Sequence, residues 1–378
     1  MSFSGVDGRS QRDAALDQPR LGDEPTADGP NVRTDGPQDG PKPDGPKPDT
    51  GAPPTPDEGT LPPPDQGIPP TPDQGKPTAG HYFPAGSIWT KDVSSAPLQS
   101  NSSAIINWLA NAGGWGTGQM RIDFSIEVLR AKAGTPFRAF TPTGDHYSPD
   151  CDTDKVPIVA GGAIEGESGY ECVSDGDCHL IVVHEPTHKL YEMWRANISG
   201  GTFYGGCLAV WDLTKVYPLD GRGEGCTSAD AAGYPIAPLL FTADEVKAGT
   251  INHAIRFILP NSRIRNMAYV HPATHSTSAA SGGANSLPYG ARLRLKASFD
   301  ISKLSAGAQV VAKAMKTYGM FLADGGSIAL TAQSDRFTTA KWSGLLGSHD
   351  LSSLKITDFE VVKYESSIVN YSFNCVRN

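Results

Sequence analysis

The clearest hydrophobic pattern in the chain runs through residues 179–194, HLIVVHEPTHKLYEMW. Leu180, Ile181, Val182 and Val183 make a short apolar run, the pattern of a strand covered on both faces. Glu185-Pro186-Thr187-His188 supplies a turn, with Pro186 presetting φ at a corner. On the return strand Leu190, Glu192 and Trp194 project one way, Tyr191 and Met193 the other. A β-hairpin is predicted, with the Glu192 carboxylate between an apolar residue and a tryptophan, an unusual group to leave in water. His179, His184 and His188 sit at its ends.

Period-two alternation recurs along the chain. Over 120–129, Ile122, Phe124, Ile126 and Val128 face one way; Arg121, Asp123, Ser125 and Glu127 face the other. Residues 207–213 (CLAVWDL), 253–259 (HAIRFIL) and 267–271 read as further strands. In 291–299 (ARLRLKASF) Leu293, Leu295, Ala297 and Phe299 point inward and Arg292, Arg294, Lys296 and Ser298 outward. Residues 320–323 and 328–331 predict a hairpin around Asp324-Gly325-Gly326; 359–362 and 368–373 are closing strands. Helical signals are few. Ile105, Ile106, Trp108 and Leu109 follow a cap at 101–103. Thr242 and Glu245 form a capping box before Gly249. Residues 305–318 make the longest helix, stopped by Gly319. Residues 134–169 read as a long loop of the kind that often carries function. The expected fold is all-β or β-rich α+β: a β-sandwich or jelly-roll-like body with a few peripheral helices.

Composition divides the chain. Residues 1–79 hold 18 of the 31 prolines, with almost no large apolar residues. Such a segment cannot bury enough surface to offset its conformational entropy. The imperfect repeats PPTPDEG, PPPDQG and PPTPDQG favour extended polyproline II. The expected organisation is a Pro/Asp/Gly-rich disordered tether over 1–79 and one β-rich domain over 80–378. The tether carries 14 acidic and 7 basic residues, net −7; the whole chain is −9, leaving about −2 for the body. That balance gives no bias towards nucleic acid.

Cys151, Cys172, Cys178, Cys207, Cys226 and Cys375 form no CxxC pair and no zinc spacing. An even set of this kind favours disulfides and an oxidising compartment. Cys172–Cys178, Cys207–Cys226 and Cys151–Cys375 are the expected bridges. No apolar run is long enough to span a bilayer, and MSFSGVDGRSQRD is not a signal peptide. The expectation is a secreted or bacterial cell-surface protein whose leader precedes Met1. Membrane contact would come only through an N-terminal lipid anchor, and the body would be a monomer.

The stretches CTSADAAGYPI (226–236), HAIRFILP (253–260), YVHPATH (269–275), YGARLRLKASFDIS (289–302) and KTYGMFLADGGS (316–327) resemble those of a set of uncharacterised secreted bacterial proteins. The resemblance spans roughly residues 82–363 and implies that the body is one unit. It implies no activity.

The chemistry is carried by carboxylates, histidines and arginines. Glycoside hydrolysis takes two carboxyl groups, one a proton donor and the other a base or nucleophile. Glu192 near Trp194, Asp212 after Trp211, and Asp230 in a Gly-rich loop are the candidates, with Asp123 and Glu127 as a further pair that cross-strand ion pairing explains as well. His179, His253 and His275 are candidate acid–base groups. His184 and His188 flank a turn and cannot form a helical HExxH site. The histidines follow no ligand spacing, so no metal and no cofactor are expected. Arg292, Arg294 and Lys296 would suit a lyase on uronic-acid polymers, or form a solvated face paired with Asp300, Asp123 or Glu127. Trp194 and Trp211 could stack on sugar rings. There is no GxSxG, P-loop or dinucleotide fingerprint. These features point to an exported glycoside hydrolase with a polysaccharide substrate. A His/Arg lyase and a non-catalytic glycan-binding or adhesion module are the alternatives.

Overall fold

The computed structural model describes residues 82–174 and 176–378; the tether expected over 1–79 lies outside them. Ten strands build two sheets: β1 (Ile122–Ile126), β2 (Leu129–Ala131), β3 (Leu180–His184), β4 (Lys189–Met193), β5 (Leu208–Asp212), β6 (Ile255–Leu259), β7 (Arg292–Leu295), β8 (Met320–Gly325), β9 (Leu330–Gln333) and β10 (Phe359–Val361). The larger sheet has the order β1-β9-β6-β8-β7-β10, the smaller β5-β4-β3-β2. Short helices lie outside them: α1 (Ser102–Asn111), α2 (Ala243–Ala248) and α3 (Ala306–Thr317). The body is β-rich with few helices, as the alternation predicts.

The 179–194 hairpin is β3 and β4, paired antiparallel from Leu180↔Met193 to His184↔Lys189. Its alternation divides two cores. Ile181, Val183, Leu190, Ala209 and Trp211 join the large apolar cluster shared with the six-stranded sheet. Leu180, Val182, Tyr191, Met193 and Leu208 face a second cluster with Ile164 and Phe203. A one-residue slip would exchange the two sets, so the register is fixed by burial on both sides.

The predicted strand over 120–129 breaks in two. β1 joins the large sheet, and β2 pairs with β3 in the small one. Glu127 sits at this corner, buried, with Arg336 at 3.5 Å and Ser334 donating at 3.1 Å. The predicted hairpin of 320–323 with 328–331 does not form. β6 lies between β8 and β9, parallel to the first and antiparallel to the second. IRFIL is the run able to be covered on both faces, and it takes the central position. The loop over 134–169 contains short strands, Phe137–Arg138 pairing with Val156–Pro157.

Two of the three expected disulfides are wrong. Cys172–Cys178 is present, but the other pairs are Cys151–Cys207 and Cys226–Cys375. The C-terminal segment returns beside residues 223–224, bringing Cys375 to Cys226. The arginine stripe is also not a solvated face. Arg292 is buried over Phe321 and donates to the Tyr318 and Lys91 carbonyls at 2.7 and 2.8 Å. Burial lowers its pKa to about 10. Arg294 donates to Glu360 and to the carbonyls of Ser94 and Ala96, both at 3.0 Å. These side chains stitch the N-terminal segment 91–96 to β7. Replacing Arg294 with Met would leave Glu360 without its partner and should cost about 3 kcal/mol in urea unfolding; unchanged stability would remove this structural role.

Candidate active site

Five loop segments meet around a cavity of about 410 Å³, in the range of small-molecule sites. They are 146–150, 177–179, 227–231, 275–278 and 371–373; Trp194, Cys207 and Asp324 complete the wall. Each disulfide borders it. Cys172–Cys178 closes the loop carrying Asp177. Cys151–Cys207 fixes the end of the 146–150 segment, and Cys226–Cys375 joins the stretch before Asp230 to that after Phe373.

Asp230 lies at the floor. Its amide donates to Ser228 Oγ at 3.0 Å, and Ser228 donates to the Tyr234 carbonyl at 2.6 Å. Gly233 closes the turn on the Asp230 carbonyl at 2.9 Å with φ +80°. A Cβ at Gly233 would stand 2.2 Å from Thr274 Oγ1, so only glycine fits. The Asp230 side chain is 1% exposed. Its Oδ1 accepts from Arg256 Nη2; its Oδ2 has no hydrogen-bond partner. Ser276 Oγ and His146 Nε2, also in the lining, are buried and unpartnered as well. Buried polar atoms are normally satisfied, so such a concentration marks a place built for a polar ligand.

Arg256 holds a second carboxyl. Its Nη2 is 3.6 Å from Asp324 Oδ2, and its Nη1 donates to Thr331 Oγ1 at 2.8 Å. Asp324 stands near the end of β8, beyond a register shift against β6, with 31% of its side chain exposed. Burial raises the Asp230 pKa to about 8, with Arg256 opposing and the Asp324 charge adding to the rise. Asp324 is raised as well, by burial before any neighbouring charge. At neutral pH Asp230 therefore keeps a proton.

His179 is a fixed cation. Its Nδ1 lies 2.6 Å from Glu165 Oε2 and its Nε2 3.0 Å from the Ala229 carbonyl. Both partners are acceptors, so both nitrogens carry protons. Burial works against the charged ring, but Glu165 overcomes it and the pKa rises to about 9. His275 is the opposite case. Its Nδ1 is 2.7 Å from the Ala231 carbonyl, and burial lowers its pKa to about 4, leaving it neutral.

Of the residues singled out from sequence, Asp230, His179, His275 and Trp194 line the cavity. The others do not. Glu192 lies fully buried in the wall between core and site, accepting from the Ile236 and Ala237 amides at 2.9 and 2.8 Å and from Trp211 Nε1 at 3.1 Å. Burial raises its pKa to about 7 against those donors. Trp211 packs in the core against Phe83 and Tyr217. Asp212 accepts from Thr214 in a turn. His253 bridges Glu245 at 3.1 Å and the Ala254 carbonyl at 2.8 Å, behind the α2 capping box. Arg292 and Arg294 are the structural groups described above. Asp123 accepts from the Ser125 amide at 2.9 Å.

Sequence reasoning missed Asp150, Asp177, Arg256, Asp324, Tyr147, Tyr371 and Phe373. Arg256 could have been found, because it is a cation inside the apolar run HAIRFIL. Asp324 was hidden by its neighbours Gly325-Gly326, which mimic a turn. Among the described residues, the one cluster with metal-ligand spacing is Glu167, Cys172 and Cys178; its two sulfurs are joined to each other and offer no thiolate. No protein-family model, curated protein or solved structure matches the chain.

Asp230, Glu192 and His179 all titrate higher folded than unfolded. Each contribution is complete below the unfolded pKa and is lost as pH rises through the folded value. The unfolding temperature should therefore fall between about pH 5 and about pH 9, and Asp230→Asn should flatten the part below pH 8. A wild-type curve that rises across this interval would overturn these protonation states.

Proposed function

We propose that the chain is an exported carbohydrate-active enzyme, a glycoside hydrolase using Asp230 and Asp324. The observation that carries this reading is the Asp230 carboxyl, fully buried, with one oxygen unpartnered at a cavity and a second carboxyl on the same guanidinium nitrogen. Asp230, protonated at neutral pH, is suited to deliver its proton to the glycosidic oxygen as the C–O bond breaks. Asp324 is suited to attack the anomeric carbon. Water, deprotonated by Asp230, would then release the sugar and restore both groups.

Spacing favours this covalent route. Asp230 Oδ1 and Asp324 Oδ2 both lie on Arg256 Nη2, the farther at 3.6 Å, so these two oxygens are at most about 6 Å apart. Retaining enzymes use roughly 5–5.5 Å and inverting ones roughly 6.5–9.5 Å. The Arg256 and His179 charges oppose the burial that raises the Asp324 pKa and so favour its carboxylate form.

A uronate lyase has less support. Among the described residues no Lys or Arg lines the cavity, and Arg292 and Arg294 face backbone carbonyls and Glu360. A non-catalytic glycan-binding module is favoured by one observation, the exposed aromatic rings at the mouth, Tyr147 and Phe373.

The test is a panel of neutral, amino and uronic-acid polysaccharides incubated with the full chain, reading reducing ends and unsaturated products together. Reducing ends without unsaturation are expected, with the basic limb of kcat near pH 8 from Asp230. Asp230→Asn and Asp324→Asn should each lower kcat by roughly 10²–10⁴ while the folded state persists. Unsaturated products would replace the hydrolase with a lyase. Retention on a glycan without product would replace it with a binding module.

A further inference from the structure

The hydrolytic pair occupies the floor of the cavity, and the mouth has a chemistry of its own. Asp150 stands there with Tyr147, Tyr371 and Phe373. Its Oδ1 accepts from the Thr227 amide at 2.9 Å. The nearby cations place their charge elsewhere: Arg195 on Asp145 at 2.9 Å, and Arg222 and Arg377 on Asp152 at 2.6 and 2.8 Å. The last two reach Asp150 only at its main-chain oxygen. Asp150, Tyr147 and Tyr371 share this stretch of the lining, and after burial the Asp150 charge adds to the raised pKa of Tyr371.

Phe373 is 64% exposed and has φ +57°, a left-handed backbone that costs a bulky residue energy. Its ring packs on Tyr371 at 4.8 Å between centroids. The segment is pinned on both sides: Val369 and Asn370 pair with Tyr269 and Ala268, and Cys375 is bonded to Cys226. An apolar ring held out in water by an unfavourable backbone gains nothing for the fold. Asp150, Asp177 and Asp324 line the cavity together with the protonated Asp230 and the His179 cation; among the described residues no Lys or Arg does.

We propose that the sugar unit at the cavity mouth carries a free ammonium group, so that the substrate is a de-N-acetylated amino-sugar chain. The ammonium is met by the Asp150 carboxylate and the faces of Tyr147 and Tyr371, a carboxylate-and-aromatic arrangement suited to cations. Phe373 lies under the apolar face of the pyranose. Placing the scissile bond at the floor rests on the hydrolase reading; recognition of the ammonium does not.

Binding of four tetrasaccharides to the full chain tests this: β-1,4-linked glucosamine, its N-acetylated form, glucose and a uronate. The glucosamine tetramer should bind at least tenfold tighter than the other three, and the advantage should shrink as salt screens it. Asp150→Asn keeps an acceptor for the Thr227 amide and should erase the advantage. Phe373→Ala should weaken all neutral and amino tetramers together. Equal binding of the N-acetylated or glucose tetramer, or an amine preference that survives Asp150→Asn, would overturn the proposal. The two readings fail separately. Asp150-dependent amine binding without hydrolysis would sink the enzyme and keep the ammonium site. Asp230-dependent hydrolysis of neutral chains without amine preference would do the reverse. No binding of any tetramer would remove the ammonium site.

Discussion

The arrangement depends on one buried carboxylate. Glu192 has no contact with water and no cation in bonding distance, yet three N–H groups converge on it. Two belong to the backbone at Ile236 and Ala237, where the segment carrying Asp230 turns back into the core; the third is the Trp211 indole. Charge-assisted bonds of this kind are strong where water is absent. They tie the small sheet to the loop that forms the floor of the cavity. A carboxylate chosen from sequence as an acid–base group thus holds the loop that carries Asp230. It is also the reason the hairpin is central to the site while contributing mainly its edges, His179 and Trp194, to the cavity.

The body separates two tasks. The sheets supply a rigid frame, with Arg256 on β6 and Asp324 on β8 held by paired strands. The loops supply the remaining walls and would be mobile without restraint. Disulfides and short strand pairs provide that restraint at the segments lining the cavity. Polar groups inside such a frame are costly unless paired. Asp230 Oδ2 and Ser276 Oγ lack partners, so part of that cost falls at the place where a ligand would relieve it.

Strand alternation made the frame readable: the hairpin, the buried runs and all three helices follow from periodicity and caps. Strand order did not follow, because nothing local in β8 and β9 says that β6 lies between them. The disulfides failed for the same reason, since Cys226 meets Cys375 through a strand pairing far apart in sequence. Asp230, chosen for its glycine-rich surroundings, lines the cavity. Asp212, Glu192 and Trp211 were misplaced because proximity to an aromatic ring in sequence does not report which side of a sheet a residue faces. Arg292 and Arg294 alternate like surface residues, but the N-terminal segment crosses over them and supplies carbonyls in place of water.

The bridges around the cavity have a consequence for where chemistry can occur. Cys226–Cys375 and Cys151–Cys207 join segments 149 and 56 residues apart, and neither link exists while the thiols are reduced. A newly made chain in a reducing cytoplasm would have its frame but not its closed set of loop walls. Asp230 and Asp324 would then lack the tied segments around Asp150, Tyr371 and Phe373 that wall the cavity above them. Oxidation would complete that mouth. In this sense bridge formation is the last step in assembling the cavity walls.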